Sequence, residues 1–195
     1  TVRYGAANSI SKTDSMISFA AASGAGRIEY YTLITPRARH EQLTLPDGSK
    51  VWLNAASSIR FPSAFAKGSR EVEISGEAYF EVSKDRLRPF VVKVKDLRIE
   101  VLGTHFNVLA YDDDPSVKTT LLEGSVRVVE GSNALLLAPG QQALVDRQGS
   151  MTLVKDVNLS ETVAWKNNLF WFENDDVRTV MARLSRWYDV DIRIE

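Results

Sequence analysis

A chain of 195 residues, 44% of them hydrophobic, can enclose one good core, or one domain with a small companion. Its 24 Lys and Arg nearly cancel its 25 Asp and Glu, so no global charge favours a phosphate backbone and nucleic-acid binding is not expected. There is no cysteine, which removes disulfide scaffolds, thiol nucleophiles and thiolate metal sites together.

Residues 1–27 are rich in Ala, Ser and Gly, and Ala20-Ala21-Ala22-Ser23-Gly24-Ala25-Gly26 reads as flexible linker. Met16, Ile17 and Phe19 supply apolar surface for an irregular edge strand as the alternative. The run from Met16 to Ala22 is the nearest approach to a membrane span, and it is far short of the ~18 apolar residues a span needs.

From Tyr30 to Val154 one grammar recurs: a glycine, read as a turn residue, leads into an alternating strand. It is seen at Gly48-Ser49-Lys50-Val51-Trp52-Leu53, Gly76-Glu77-Ala78-Tyr79-Phe80-Glu81-Val82, Gly103-Thr104-His105-Phe106-Asn107-Val108, Gly124-Ser125-Val126-Arg127-Val128 and Gly140-Gln141-Gln142-Ala143-Leu144-Val145. Alternation places Phe80, Val82, Phe106 and Val108 in a core, with Tyr79, Glu81 and His105 on opposite faces. Short strands punctuated by Pro46-Asp47-Gly48, Gly131-Ser132-Asn133 and Pro139-Gly140 predict a mainly β fold of stacked antiparallel strands, a sandwich or a solenoid-like stack.

The register changes after Asn158. Leu169-Phe170-Trp171-Phe172 is strand-like, Asn174 or Asp175 is placed to cap a helix, and Val177, Val180, Met181, Leu184 and Tyr188 share one helical face. Val190-Asp191-Ile192-Arg193-Ile194 alternates as a second strand, so the segment predicts a small partial βαβ module.

Candidate chemistry is thin. His40 and His105 have no ligand partners at helical spacing, and Asp112-Asp113-Asp114, followed at once by Pro115, lacks the alternating pattern of a calcium loop and reads as an exposed turn. Glu77 and Glu81, like Glu71 and Glu73, lie on one strand face and read as solvated carboxylates rather than a pair facing across a cleft. There is no serine elbow or phosphate loop, so the expectation is a non-enzyme without cofactor or metal. Of Trp52, Trp165, Trp171 and Trp187, the core is the expected place, with Trp171 and Trp187 as candidate anchors for a partner.

The connecting words are more specific than the periodicity. Leu45-Pro46-Asp47-Gly48-Ser49-Lys50-Val51-Trp52-Leu53-Asn54 is followed by Arg70-Glu71-Val72-Glu73-Ile74-Ser75 and the Gly76 unit. Then come Arg88-Pro89-Phe90-Val91-Val92, the Gly103 unit, and Leu121-Leu122-Glu123-Gly124-Ser125-Val126. This ordered set, over roughly Ile34 to Val145, resembles the FecR family, inner-membrane regulators that act as anti-sigma factors in bacterial cell-surface signalling. Trp165 to Glu195 resembles the beginning of the second module of such proteins, related to the short N-terminal domain (STN) of secretins and TonB-dependent receptors.

The resemblance implies three parts: a linker or juxtamembrane segment over 1–27, a FecR-like all-β domain over 28–158 and a partial STN-like module over 159–195. It implies an excised periplasmic region of a single-pass inner-membrane protein of a Gram-negative bacterium. Its expected partners are the N-terminal signalling domain of a TonB-dependent outer-membrane transporter and an ECF sigma factor, the latter reached through a cytoplasmic segment absent here. Trp171, Arg178, Arg183, Arg186 and Trp187 are the expected partner-binding residues, while Asp47, Gly48, Gly76, Phe80, Gly103, Phe106 and Gly124 are expected to be structural. The alternative is a carbohydrate-binding β-domain, in which Trp52, Tyr79 or Trp171 stacks on sugar rings.

Overall fold

The structure is a computed structural model that describes residues 10–13, 16–19, 27–173 and 175–193. Its strands lie in two sheets. The first runs β1 (Ile10–Thr13), β2 (Met16–Phe19), β4 (Glu41–Thr44), β5 (Lys50–Leu53), β7 (Arg70–Glu81), β10 (His105–Ala110), β11 (Ser116–Glu123), β14 (Gln142–Asp146), β15 (Met151–Val154). The second runs β3 (Tyr30–Thr35), β6 (Ser57–Pro62), β7 again, β8 (Phe90–Val94), β9 (Leu97–Val101), β12 (Val126–Glu130), β13 (Asn133–Leu137). All pairings among the described residues are antiparallel except β2 with β4 and β7 with β8. The fold is mainly β, as the alternation predicts. Within the stretch read as linker, β1 and β2 form a hairpin that extends the first sheet, with Ile17 in the core; Ala20–Gly26 lie outside the described residues.

Strand β7 joins the two sheets. Its residues 70–75 pair with β6 and β8, and residues 76–81 pair with β5 and β10. The change of sheet falls at Gly76. This glycine does not open a turn, as expected from the sequence; it is a bend inside a twelve-residue strand, with φ at +85°. A Cβ there would lie 2.7 Å from the Ser57 Cα, so both the backbone conformation and the close approach of β6 require glycine. Gly48 and Gly124 also take positive φ, and a Cβ on Gly103 would meet the Lys84 Cα at 2.7 Å.

The expected strand register is present. Phe80 and Phe106 stack with centroids 4.9 Å apart at 11°, Phe90 meets Phe80 edge-on at 6.1 Å, and all three are fully buried with Val108. His105 is half-exposed opposite Phe106, with a bulge between them on the β11 side.

The N-terminal end of β7 is held by charge. Arg70 donates to Asp47 at 2.7 Å, with the two side chains 1% and 6% exposed, and also to the carbonyls of Ser83 and Arg88. Asp47 in turn accepts from the Ser49 backbone N–H and hydroxyl, which fixes the turn expected at Pro46-Asp47-Gly48. Arg70 carries no distinguishing signal in the sequence, because it opens a strand of alternating charges.

After β15 the chain is helical. Helix α1 (Leu159–Thr162) leads into a 3-10 turn (Ala164–Asn167), and after a connection comes α2 (Val177–Tyr188). The flanking strands of the expected βαβ module do not form among the described residues: 169–173 and 190–193 run without strand pairing. Side-chain packing is satisfied instead by rings, since Phe170 stacks on Phe172 at 5.6 Å and on Tyr188 at 5.8 Å, and tilts against Trp187 at 4.4 Å. The cap of α2 is Asp176, accepting from the Arg178 and Thr179 N–H groups, rather than Asn174 or Asp175. No helix among the described residues is long and apolar enough to cross a membrane.

Two substitutions test this frame. Gly76→Ala should lower the unfolding free energy by about 2 kcal/mol or more, through positive φ and the Ser57 contact. Asp47→Ala should cost about 3–5 kcal/mol, because it strands a buried guanidinium. Chemical denaturation of each variant reads both; unchanged midpoints would refute the bend and the ion pair respectively.

Candidate functional site

Three of the alternating strands each carry one polar residue into the interior. Asn54 follows the end of β5, Glu77 follows the bend in β7, and Asn107 lies in β10 between Phe106 and Val108. All three are buried. Glu77, read from the sequence as a solvated carboxylate, is 7% exposed and receives Asn54 Nδ2 at 2.8 Å on one oxygen and Asn107 Nδ2 at 2.9 Å on the other. Its expected exposure fails because the helical segment after β15 covers this strand face.

The chemistry of the three groups dictates the rest. An ionised carboxylate only accepts, so each amide must turn its NH2 to Glu77 and its oxygen away. The two oxygens then need donors, and two indoles supply them. Trp165, from the 3-10 turn, donates to Asn107 Oδ1 at 3.3 Å, while Trp187, from α2, donates to Asn54 Oδ1 at 3.0 Å. The Ala55 N–H shares Asn54 Oδ1 at 2.8 Å. Glu77 itself is fixed by its own N–H, which donates to Ser57 Oγ at 2.9 Å beside the Gly76 bend.

An arginine completes the contact. Arg186 donates to both carboxylate oxygens of Asp113 at 2.8 and 3.0 Å and lies 3.8 Å from the Tyr111 ring centre. Tyr111 donates in turn to the Ala55 carbonyl at 2.7 Å. The Asp112-Asp113-Asp114 turn therefore takes its cations from the protein: Lys95 on Asp112 at 2.7 Å and Arg186 on Asp113. A cavity of about 200 Å³ lies between the sheet and the helical segment, bordered by Glu77, both asparagines, Trp165, Trp187 and Arg186.

Desolvation by this cover raises the Glu77 carboxyl above its ordinary 4.5, against the lowering effect of the two amides and of Arg183 and Arg186. Burial likewise pushes the Tyr111 hydroxyl up, and it pushes Tyr79, beside Glu81 and Glu123, to about 12.

The expected partner-binding residues divide into two groups. Trp171, 47% exposed, and Arg178 face solvent. Arg183, Arg186 and Trp187 are turned inward: Arg183 pairs with Asp175 at 3.6 Å, and Trp187 also stacks on His40 at 5.9 Å. Arg186 and Trp187 thus contact the protein's own β body, while Trp171 and Arg178 remain on the surface. The apolar row of α2 is only partly covered, with Val180, Met181 and Leu184 half-buried. Val177 and Tyr188 are each 62% exposed, and the one buried residue of the helix is Arg186. For the sugar-stacking alternative, Tyr79 is buried and Trp52 meets it edge-on at 5.5 Å, with the Lys166 ammonium 4.1 and 4.2 Å from the two ring centres and paired to Glu81. Of the three rings in that alternative, Trp171 is the one that stands exposed.

Asn54, Asn107, Tyr111 and Asp113 were missed as site residues. The available signal was a polar residue embedded in an apolar run, as in Phe106-Asn107-Val108, which burial makes costly unless it is paired.

Known proteins agree with this architecture. The sequence profile of the family described as FecR protein matches residues 31–127, and that of its C-terminal region, described as FecR, C-terminal, matches residues 169–195. A crystal structure at 2.50 Å of a candidate anti-sigma factor from Parabacteroides distasonis superposes with a TM-score of 0.78 at 31% identity, covering 83% of this chain and 76% of that one. A second from the same organism, at 1.65 Å, gives 0.76 at 31% identity, with coverage of 81% and 74%. No curated protein matches the sequence significantly. The class defined by fold and comparison is a regulatory signalling protein, and the chain belongs to the FecR family of anti-sigma factors.

Glu77 makes the site pH-dependent with a definite sign. A carboxyl raised on folding contributes stability that is fully present below its ordinary value and is lost as pH climbs through the raised one. Glu77→Gln removes that dependence. It also presents an NH2 to one of the two asparagines, which must flip and lose its indole, at a cost of about 1–3 kcal/mol. Thermal midpoints should therefore show the wild type's advantage over Glu77→Gln shrinking as pH rises from about 4 to about 8. A constant or growing advantage would contradict the buried, raised carboxylate.

Proposed function

We propose that this chain is the periplasmic signalling region of a transmembrane anti-sigma factor, which relays the state of a TonB-dependent outer-membrane transporter to an ECF sigma factor through protein contact. The observation that carries this reading is the distribution of apolar surface. The sheets and their loops enclose an apolar core and expose Tyr30, Ile34, Leu87 and Leu136 at scattered positions, while the helical segment displays Leu169, Trp171, Val177, Tyr188, Val190 and Ile192 within one short stretch of chain. A patch of that composition, beside the exposed Arg178, has the aromatic and guanidinium content of a protein-binding surface. It lies within residues 169–195, the region matched by the family's C-terminal profile. The transporter's signalling domain, of the short N-terminal class that this segment resembles, is the proposed partner. The contact involves no covalent chemistry, and a signal received by the helical segment reaches the sheets through the Trp165 and Trp187 hydrogen bonds.

Titration calorimetry of this chain with the isolated signalling domains of TonB-dependent transporters from the same organism tests the reading. Binding is expected, and Trp171→Ala with Tyr188→Ala should weaken it by about tenfold or more, since exposed aromatic anchors carry about 1–2 kcal/mol each. Undiminished affinity would move the interface elsewhere. No binding to those domains, together with binding to a glycan panel, would favour the carbohydrate reading.

A further inference from the structure

Helix α2 is attached in a manner unlike the central strands of the two sheets. Sheet residues meet through apolar side chains with no exposure, whereas the twelve residues of α2 bury a single side chain, that of Arg186. Apart from the Trp187 stack on His40 and the Arg186 cation over Tyr111, what holds the helix to the sheets is a set of polar contacts around its C-terminal half. Besides the Arg186 and Trp187 bonds already described, the Ala38 N–H donates to the Arg186 carbonyl at 2.9 Å, and Arg37 donates to Asp191 at 3.1 Å and to Ser185 at 3.3 Å. Polar contacts of this kind exchange for water at little net cost, and the cavity of about 200 Å³ beneath the helix leaves part of the interface without dispersion contacts.

The two indoles differ in the same sense. Trp165 is buried and sits on Ala164, also buried, within the 3-10 turn, while Trp187 is only half-buried. The turn ends at Asn168, which takes the left-handed conformation at φ +59° and closes the 3-10 segment as a unit separate from α2.

We propose that α2 is a detachable clasp. It opens from the β body as one unit by releasing Arg186, Trp187 and the Arg37 contacts, while Trp165 and the 3-10 turn stay seated. Opening uncovers Asn54, Glu77 and Tyr111 to water and frees the helical segment from the sheets. The device is a property of the fold itself and stands independently of which partner the protein meets.

Amide hydrogen exchange on the full chain reads the opening directly. Amides of α2 should show protection about a hundredfold lower than those of β7 and β10. Asp113→Ala and Arg37→Ala, each altering a partner on the surface of the body, should speed exchange in α2 by about tenfold while leaving β7 and β10 unchanged. Raising the salt concentration should accelerate α2 selectively, because the ion pairs that hold it are partly exposed. Exchange of α2 in step with β10, loss of protection throughout the protein in either variant, or an α2 rate insensitive to salt and to both substitutions would overturn the clasp.

Discussion

One buried carboxylate organises the junction of this protein. Glu77 is held by the amides of Asn54 and Asn107, and because it accepts only, both amide oxygens are turned outward from the sheet. A pair of oriented acceptors on a β surface attracts donors that bring apolar cover with them, which is the property of an indole. Trp165 and Trp187 meet that requirement from two different helical elements, so each of these elements donates one hydrogen bond to an amide that Glu77 orients.

The same strand explains why that charge can be buried. β7 starts in the second sheet, where Arg70 and Asp47 pin it, bends at Gly76, and enters the first sheet with Glu77 as its first side chain. Gly76 also permits the Ser57 hydroxyl to approach and bind the Glu77 N–H. Two glycine-dependent features, the bend and the close approach, therefore serve both the fold and the site. A signalling protein gains from this layout: a rigid double sheet carries a polar contact surface on which a second element rests without merging into the core.

The helical segment shows a consequence of that division. Its apolar row is not fully buried, since the face of α2 that meets the body presents Arg186 and Trp187, while Val180, Met181 and Leu184 are half-buried and Val177 and Tyr188 are exposed. Amphipathicity identified the helix and its apolar row, and left open which side is attached. Helical periodicity reports where apolar residues lie around the axis, and attachment here is decided by hydrogen bonding and a cation over a ring.

Much of the fold was legible because it rests on local rules. Alternation assigned Phe80, Val82, Phe106 and Val108 to the core, turn chemistry located Pro46-Asp47-Gly48, and the ordered motifs identified the family. What needed the tertiary structure was every feature made by residues far apart in sequence. Glu77 reads as solvated on an alternating strand until Trp165 and Trp187 arrive from about ninety and more residues away to cover it. Arg70 looks like any strand charge until Asp47 meets it. The stretches at 169–173 and 190–193 have strand-like alternation but find no edge to pair with among the described residues, and a strand exists only by pairing. The sequence by itself determined the period, the turns and the family. The burial of its charges and the face on which its last helix rests were decided in three dimensions, because the free energy of a buried polar group depends on partners that sequence proximity does not supply.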